Sequence, residues 1–149
     1  MTKMRYTIIF STLLFVILSG CGKDKFDTVP KLEFTAVNTT ELRNGGVIQF
    51  TLSFTDKEGD VSNKVFVEKT SPDCPAFDFT QDYVVPEFPA MSNQKGEIIV
   101  YFGYNAEGLP DISPKCSKDE TATFRFVLED KAGNVSDTVS SPPIKLIYQ

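Results

Sequence analysis

The chain has 149 residues, 41% of them hydrophobic and 23% charged, with a formal charge of −5. That is the composition of one globular domain and excludes a disordered chain. Thirteen Phe stand beside no Trp and no His. The missing His removes Ser–His and Cys–His nucleophile pairs, His metal ligands and the usual neutral-pH base. An acidic chain also lacks the basic surface that displaces phosphate counterions, so nucleic acid is not expected as a partner.

Residues 1–20 read as a secretory signal. Lys3 and Arg5 form a basic start, and Ile8 to Leu18 form an apolar stretch too short for a comfortable membrane span. A retained anchor helix is the alternative. The segment ends Leu18-Ser19-Gly20-Cys21, which resembles the lipobox of bacterial lipoproteins. That resemblance implies cleavage before Cys21, a diacylglyceryl group on its thiol and acylation of its new amine. Two or more acyl chains suffice for stable anchoring. Gly22 stands where the inner-membrane retention aspartate of enteric lipoproteins would be, so the outer membrane is the expected address. The charged stretch Lys23-Asp24-Lys25-Phe26-Asp27 faintly resembles the surface-export signals of Bacteroidota lipoproteins, with its acids split by Lys25. Periplasmic and outward-facing placements both stay open. Residues 21–30 are the expected linker and 31–149 the folded domain.

Strands are expected throughout that domain. Ile48, Phe50, Leu52 and Phe54 alternate with polar residues, and Phe124, Phe126 and Leu128 repeat the period of two. Weaker strand candidates are 31–37, 64–69, 77–85 and 97–104, then 135–139 with 144–148. Pro142-Pro143 interrupts the last pair, which suits a broken edge strand. No segment after the signal has a helical period. About seven short strands point to an all-β fold, an immunoglobulin-like antiparallel β-sandwich, with a small barrel as the alternative.

With Cys21 lipidated, Cys74 and Cys116 remain. In an exported chain this even pair reads as a disulfide. Closing a loop of about 40 residues would stabilise by roughly 4 kcal/mol in the chain-entropy model. Two free thiols or a two-thiolate metal site are the alternatives, the latter short of ligands without His.

The sequence also repeats itself. Asp56-Lys57-Glu58-Gly59-Asp60-Val61-Ser62 and Asp130-Lys131-Ala132-Gly133-Asn134-Val135-Ser136 each follow an alternating strand. Asp opens such a turn by bonding nearby backbone, and Gly supplies the left-handed position that closes it, so both read as hairpin turns. The second segment resembles the D-x-A-G-N-x-S turn before the last strand of many bacterial Ig-like domains. The first resembles their D-x-(D/E)-G-D turn. The chain thus resembles a Bacteroidota-type lipoprotein carrying an Ig-like domain. Residues 71–120 match no such pattern, and the Cys…Trp…Cys core of antibody domains is absent.

In that fold the two echoing loops meet at one end. Asp56, Glu58, Asp60, Asp130 and Asn134 would then be neighbours able to hold Ca²⁺, which takes six to eight oxygens; each Asp or Asn serving only its own turn is the competing reading. The linker would enter at the same end. Tyr101 and Tyr104 are candidates for stacking a sugar, against a core or loop-packing role. No carboxylate pair is marked for catalysis, and no enzyme is expected. The functional expectation is a lipid-anchored adaptor or structural module with an envelope protein partner; the alternative is a glycan-binding lipoprotein, Ca²⁺-assisted or not.

Overall fold

A computed structural model describes residues 27–87 and 89–149. The expected signal segment, the expected lipidation site Cys21, and Phe88 lie outside these residues. The described chain is all-β, a sandwich of two sheets with one 3-10 turn at Pro75–Phe77. Its strands are β1 (Lys31–Val37), β2 (Glu41–Leu42), β3 (Val47–Asp56), β4 (Lys64–Thr70), β5 (Phe79–Val84), β6 (Gln94–Gly103), β7 (Glu120–Glu129), β8 (Val139–Ser140) and β9 (Ile144–Leu146). The smaller sheet has the order β1-β3-β6. The larger has β2-β9-β7-β4-β5, with β8 also on β7.

The alternating Phe residues explain why two layers form. A strand with apolar side chains on one face has to bury that face against another sheet. From β3, Ile48, Phe50 and Leu52 are fully buried; from β7, so are Phe124, Phe126 and Leu128. The two strands lie in opposite sheets and their rings meet in the middle. Phe50 has its ring centroid 4.8 Å from Phe124, 5.3 Å from Phe126 and 6.2 Å from Phe102 of β6. Such tilted and edge-on contacts add roughly 0.5–1.5 kcal/mol per pair beyond burial.

The chain carries more strands than the seven expected. β2 and β8 have two residues each, too short to show a period. Residues 135–139 contribute only a bridge from Val135 to Glu129 before β8 begins. The strand expected over 77–85 starts at Phe79, because Pro75–Phe77 form the 3-10 turn. The expected edge position of the last strand is corrected. β9 lies between β2, which it pairs in parallel, and β7, which it pairs antiparallel. Pro142-Pro143 falls between β8 and β9, so no ladder N–H is lost and an interior place is open to β9.

Both Cys residues fall where the sequence is irregular, and they are joined. The Cys74–Cys116 disulfide spans 42 residues of sequence with Cα atoms 5.8 Å apart. It ties the segment after β4 to the segment before β7. This end also holds a buried ion pair, Lys69 with Glu120.

Candidate functional site

Three features could carry function: the loop end holding the two echoing turns, the open side of the sandwich, and the aromatic residues of the middle segment.

β3 ends at Asp56 in one sheet and β7 ends at Glu129 in the other, and both point toward the same end of the sandwich. At Asp56, Oδ2 accepts the backbone N–H of Gly59 (2.6 Å) and of Asp60 (3.1 Å). Gly59 has φ +72°, and a Cβ there would come within 2.1 Å of the Met91 carbonyl oxygen, so both conformation and space require glycine. At Asp130, Oδ1 accepts the N–H of Asn134 (2.7 Å) and Oδ2 accepts its Nδ2 (2.8 Å). Gly133 has φ +85°. The turn chemistry read from the sequence is therefore present in both loops.

The loops differ in what they connect. Residues 130–134 close a hairpin, since Val135 returns to pair with Glu129. Residues 57–63 do not; β3 pairs with β1 and β6, and β4 belongs to the other sheet. The first loop is a crossover between sheets, which corrects the expectation of two hairpins. The crossover brings the repeated sequences together. Lys131 N–H donates to the Asp60 carbonyl (2.9 Å), and Asn63 Nδ2 donates to the Asp130 carbonyl (2.8 Å) and to Glu129 Oε1 (3.0 Å).

Carboxylates of Asp56, Asp60 and Asp130 converge here, with one oxygen from each within 4.8 Å of the others. Asp56 and Asp130 are fully buried. Burial, then the charges of Asp130 and Asp56, raise the Asp60 carboxyl above the usual range. Glu58 is exposed and outside this cluster, and Asn134 Nδ2 donates to Asp130 Oδ2 and to the Thr28 carbonyl (3.3 Å). Of the five residues expected to share a cation, three carboxylates converge, Asn134 lies against Asp130, and Glu58 stands apart. The entering chain touches the same end: Lys57 N–H donates to the Asp27 carbonyl (3.3 Å), and β1 begins opposite Thr55.

The open side of the sandwich lies between β5 and β6, edge strands of the two sheets. A groove of about 590 Å³ runs there, lined by Val65, Tyr83, Val85, Ile98, Val100 and neighbouring residues. Around it Val84 is 85% exposed, Ile99 44% and Tyr101 42%. The Tyr83 hydroxyl is buried without a hydrogen-bond partner, and burial pushes its pKa up to about 12. The sequence signal for this patch is the unbroken run Ile98-Ile99-Val100-Tyr101-Phe102, which puts apolar side chains on both faces of β6. Tyr101 is the member of this patch singled out from the sequence; an alternating pattern marks only one buried face and so does not mark the rest.

The two tyrosines expected to share a sugar part company. Tyr101 points outward, whereas Tyr104 is 3% exposed and belongs to the core, fixed where its N–H donates to the Gly46 carbonyl (2.9 Å). They do not form a common platform.

No protein-family model matches the chain, and no curated protein matches it in sequence. Among solved structures it is similar to Spo0M, a sporulation control protein from Bacillus subtilis, at TM-score 0.43 and 8% identity over 81% of this chain. The alignment covers 49% of Spo0M, so the chain spans about half the length of that protein. It is also similar to a Niemann-Pick type C2 protein from the Japanese carpenter ant, at TM-score 0.43 and 11% identity, over 85% of this chain and 99% of that one.

Proposed function

We propose that this chain is a non-enzymatic, lipid-anchored envelope protein whose Ig-like β-sandwich binds a protein partner along its open side. The observation that carries the reading is the exposed apolar set Val84, Ile99 and Tyr101, standing on two edge strands that flank an apolar groove. Edge strands offer unpaired N–H and C=O groups to an extended segment, and alternating pockets give such docking its specificity. β6 is ten residues long, enough for a partner strand to lie along. The occupant that fits is an extended, apolar-studded segment of another envelope protein. Anchoring rests on Cys21 and its lipobox-like context, with the outer membrane as the proposed address.

A photo-crosslinker at position 99 should capture one partner in intact cells, while the same probe at exposed Thr121 on β7 captures none. Ile99→Lys should abolish that capture without lowering thermal stability. Equal labelling from both positions would count against the reading. Cys21→Ser should move the protein to the soluble envelope fraction; full membrane retention would overturn the anchor. The glycan-binding alternative has Tyr101 as its exposed member, and glycan-array binding lost on Tyr101→Ala would favour it.

A further inference from the structure

We infer that Asp56, Asp60 and Asp130 form a binding site for a hard divalent cation, with Ca²⁺ as the fitting ion, that clamps the two sheets together where the chain enters the domain. The inference does not depend on the proposed partner or on the lipid anchor.

The first observation is the convergence of three carboxylates from two loops on opposite sheets, two of them fully buried. The second is independent of that clustering. Buried Asp56 Oδ1 and Asp60 Oδ1 have no hydrogen-bond partner. Each of these side chains therefore presents an oxygen that the turns do not use. None of the ion pairs among the described residues includes Asp56, Asp60 or Asp130. Burying like charges without a counter-charge is costly, and it is relieved by a cation or by protons.

The donor set selects the ion. Oxygen alone, with no thiolate or imidazole, suits Ca²⁺ or Mg²⁺ rather than Zn²⁺ or Cu²⁺. Oxygens on opposite sides of Ca²⁺ are about 4.6–5.2 Å apart, against about 4.0–4.2 Å across Mg²⁺. Oxygens that lie within 4.8 Å of one another fit inside a Ca²⁺ coordination sphere, and an irregular donor set from two loops suits its flexible geometry better than the near-ideal octahedron that Mg²⁺ demands. Water and backbone carbonyls would complete the coordination. With three carboxylates the affinity should fall near that of extracellular modules, a Kd of about 0.1–1 mM.

Calorimetry and thermal melting of the purified, chelator-treated full chain test this, with CaCl₂ and MgCl₂ as probes. Calcium should bind at one site, raise the melting temperature by several degrees and do so more than magnesium at equal concentration. Hydrogen exchange should slow in 56–61 and 130–134 on adding calcium and stay unchanged around Cys116. Asp60→Asn should melt no lower than the wild type in chelator, because it removes a repelling charge, and should lose the calcium response. Glu58→Gln should keep it. No heat and no melting shift up to about 10 mM calcium would overturn the site, as would a full response in Asp60→Asn. If Asp60→Asn fails to fold, the wild-type exchange pattern decides: protection outside these two loops overturns the assignment.

Discussion

The two ends of the sandwich treat their acidic residues in opposite ways. At the disulfide end buried Glu120 has a cationic partner, and exposed Asp111 and Asp73 are held by donors. Glu120 pairs with Lys69; Asp111 accepts Lys115 Nζ (2.6 Å), Ser113 Oγ (2.6 Å) and the Asn105 N–H (3.0 Å); Asp73 accepts the Thr121 N–H (2.8 Å). At the other end Asp56, Asp60 and Asp130 converge without a cationic side chain. The first end is finished by covalent and ionic links within the chain. The second is held by turn geometry and is left with unspent negative charge. The lesson is that a carboxylate's role is set by which donors the fold brings to it, and spacing along the chain says little about that.

The largest expected break in this contrast is at the ion pair. Lys69 and Glu120 are 2% and 1% exposed, so Lys69→Met leaves a buried carboxylate alone and should cost about 3–5 kcal/mol by denaturant unfolding. The double variant Lys69→Met with Glu120→Leu should recover most of that loss. A single variant within about 0.5 kcal/mol of wild type would show that the end does not depend on the pair. Next comes the disulfide. Replacing Cys74 and Cys116 together with Ala should lower stability by about 2–4 kcal/mol, read from the same unfolding curves. Tyr83→Phe should be neutral or stabilising by up to about 1 kcal/mol, since it deletes an unpaired buried hydroxyl. A clear loss would mean that the hydroxyl is satisfied in solution.

The smallest effect is a pH dependence at Asp111. Burial would raise its carboxyl, but the Asn105 N–H, the Lys115 ammonium and both donors of Ser113 outweigh it and hold it well below the usual carboxylate range. A depressed folded-state pKa contributes stability above the ordinary Asp value, and that contribution is lost as pH falls through the folded-state value. Asp111→Asn should therefore flatten the acid limb of stability against pH below about 4, and an unchanged limb would contradict the network.

Much of the fold was legible because Phe residues at period two mark a buried strand face wherever they stand. β1 matches its expected range, and β3, β4 and β7 fall within a few residues of theirs. Cys74 and Cys116 were legible by elimination once Cys21 was set aside. The convergence of Asp56, Asp60 and Asp130 was legible from the repeated turn, although the reason given for the first loop was wrong. Glu58 was placed with them because sequence neighbours look like spatial ones, but the Asp56 turn sends its side chain outward. Pairing of Lys69 with Glu120 left no local trace, since it depends on the register that sets β4 beside β7.

The parallel pairing of β9 with β2 makes one short strand the link between two parts of the larger sheet. Residues 41–42 and 120–122 are bridged by Ile144–Leu146, where Lys145 N–H reaches the Thr40 carbonyl and Ile147 N–H the Leu42 carbonyl. A variant truncated before residue 144 would hold Leu42 and Ala122 without the strand that pairs with both. The larger sheet is a clasp whose tongue is β9.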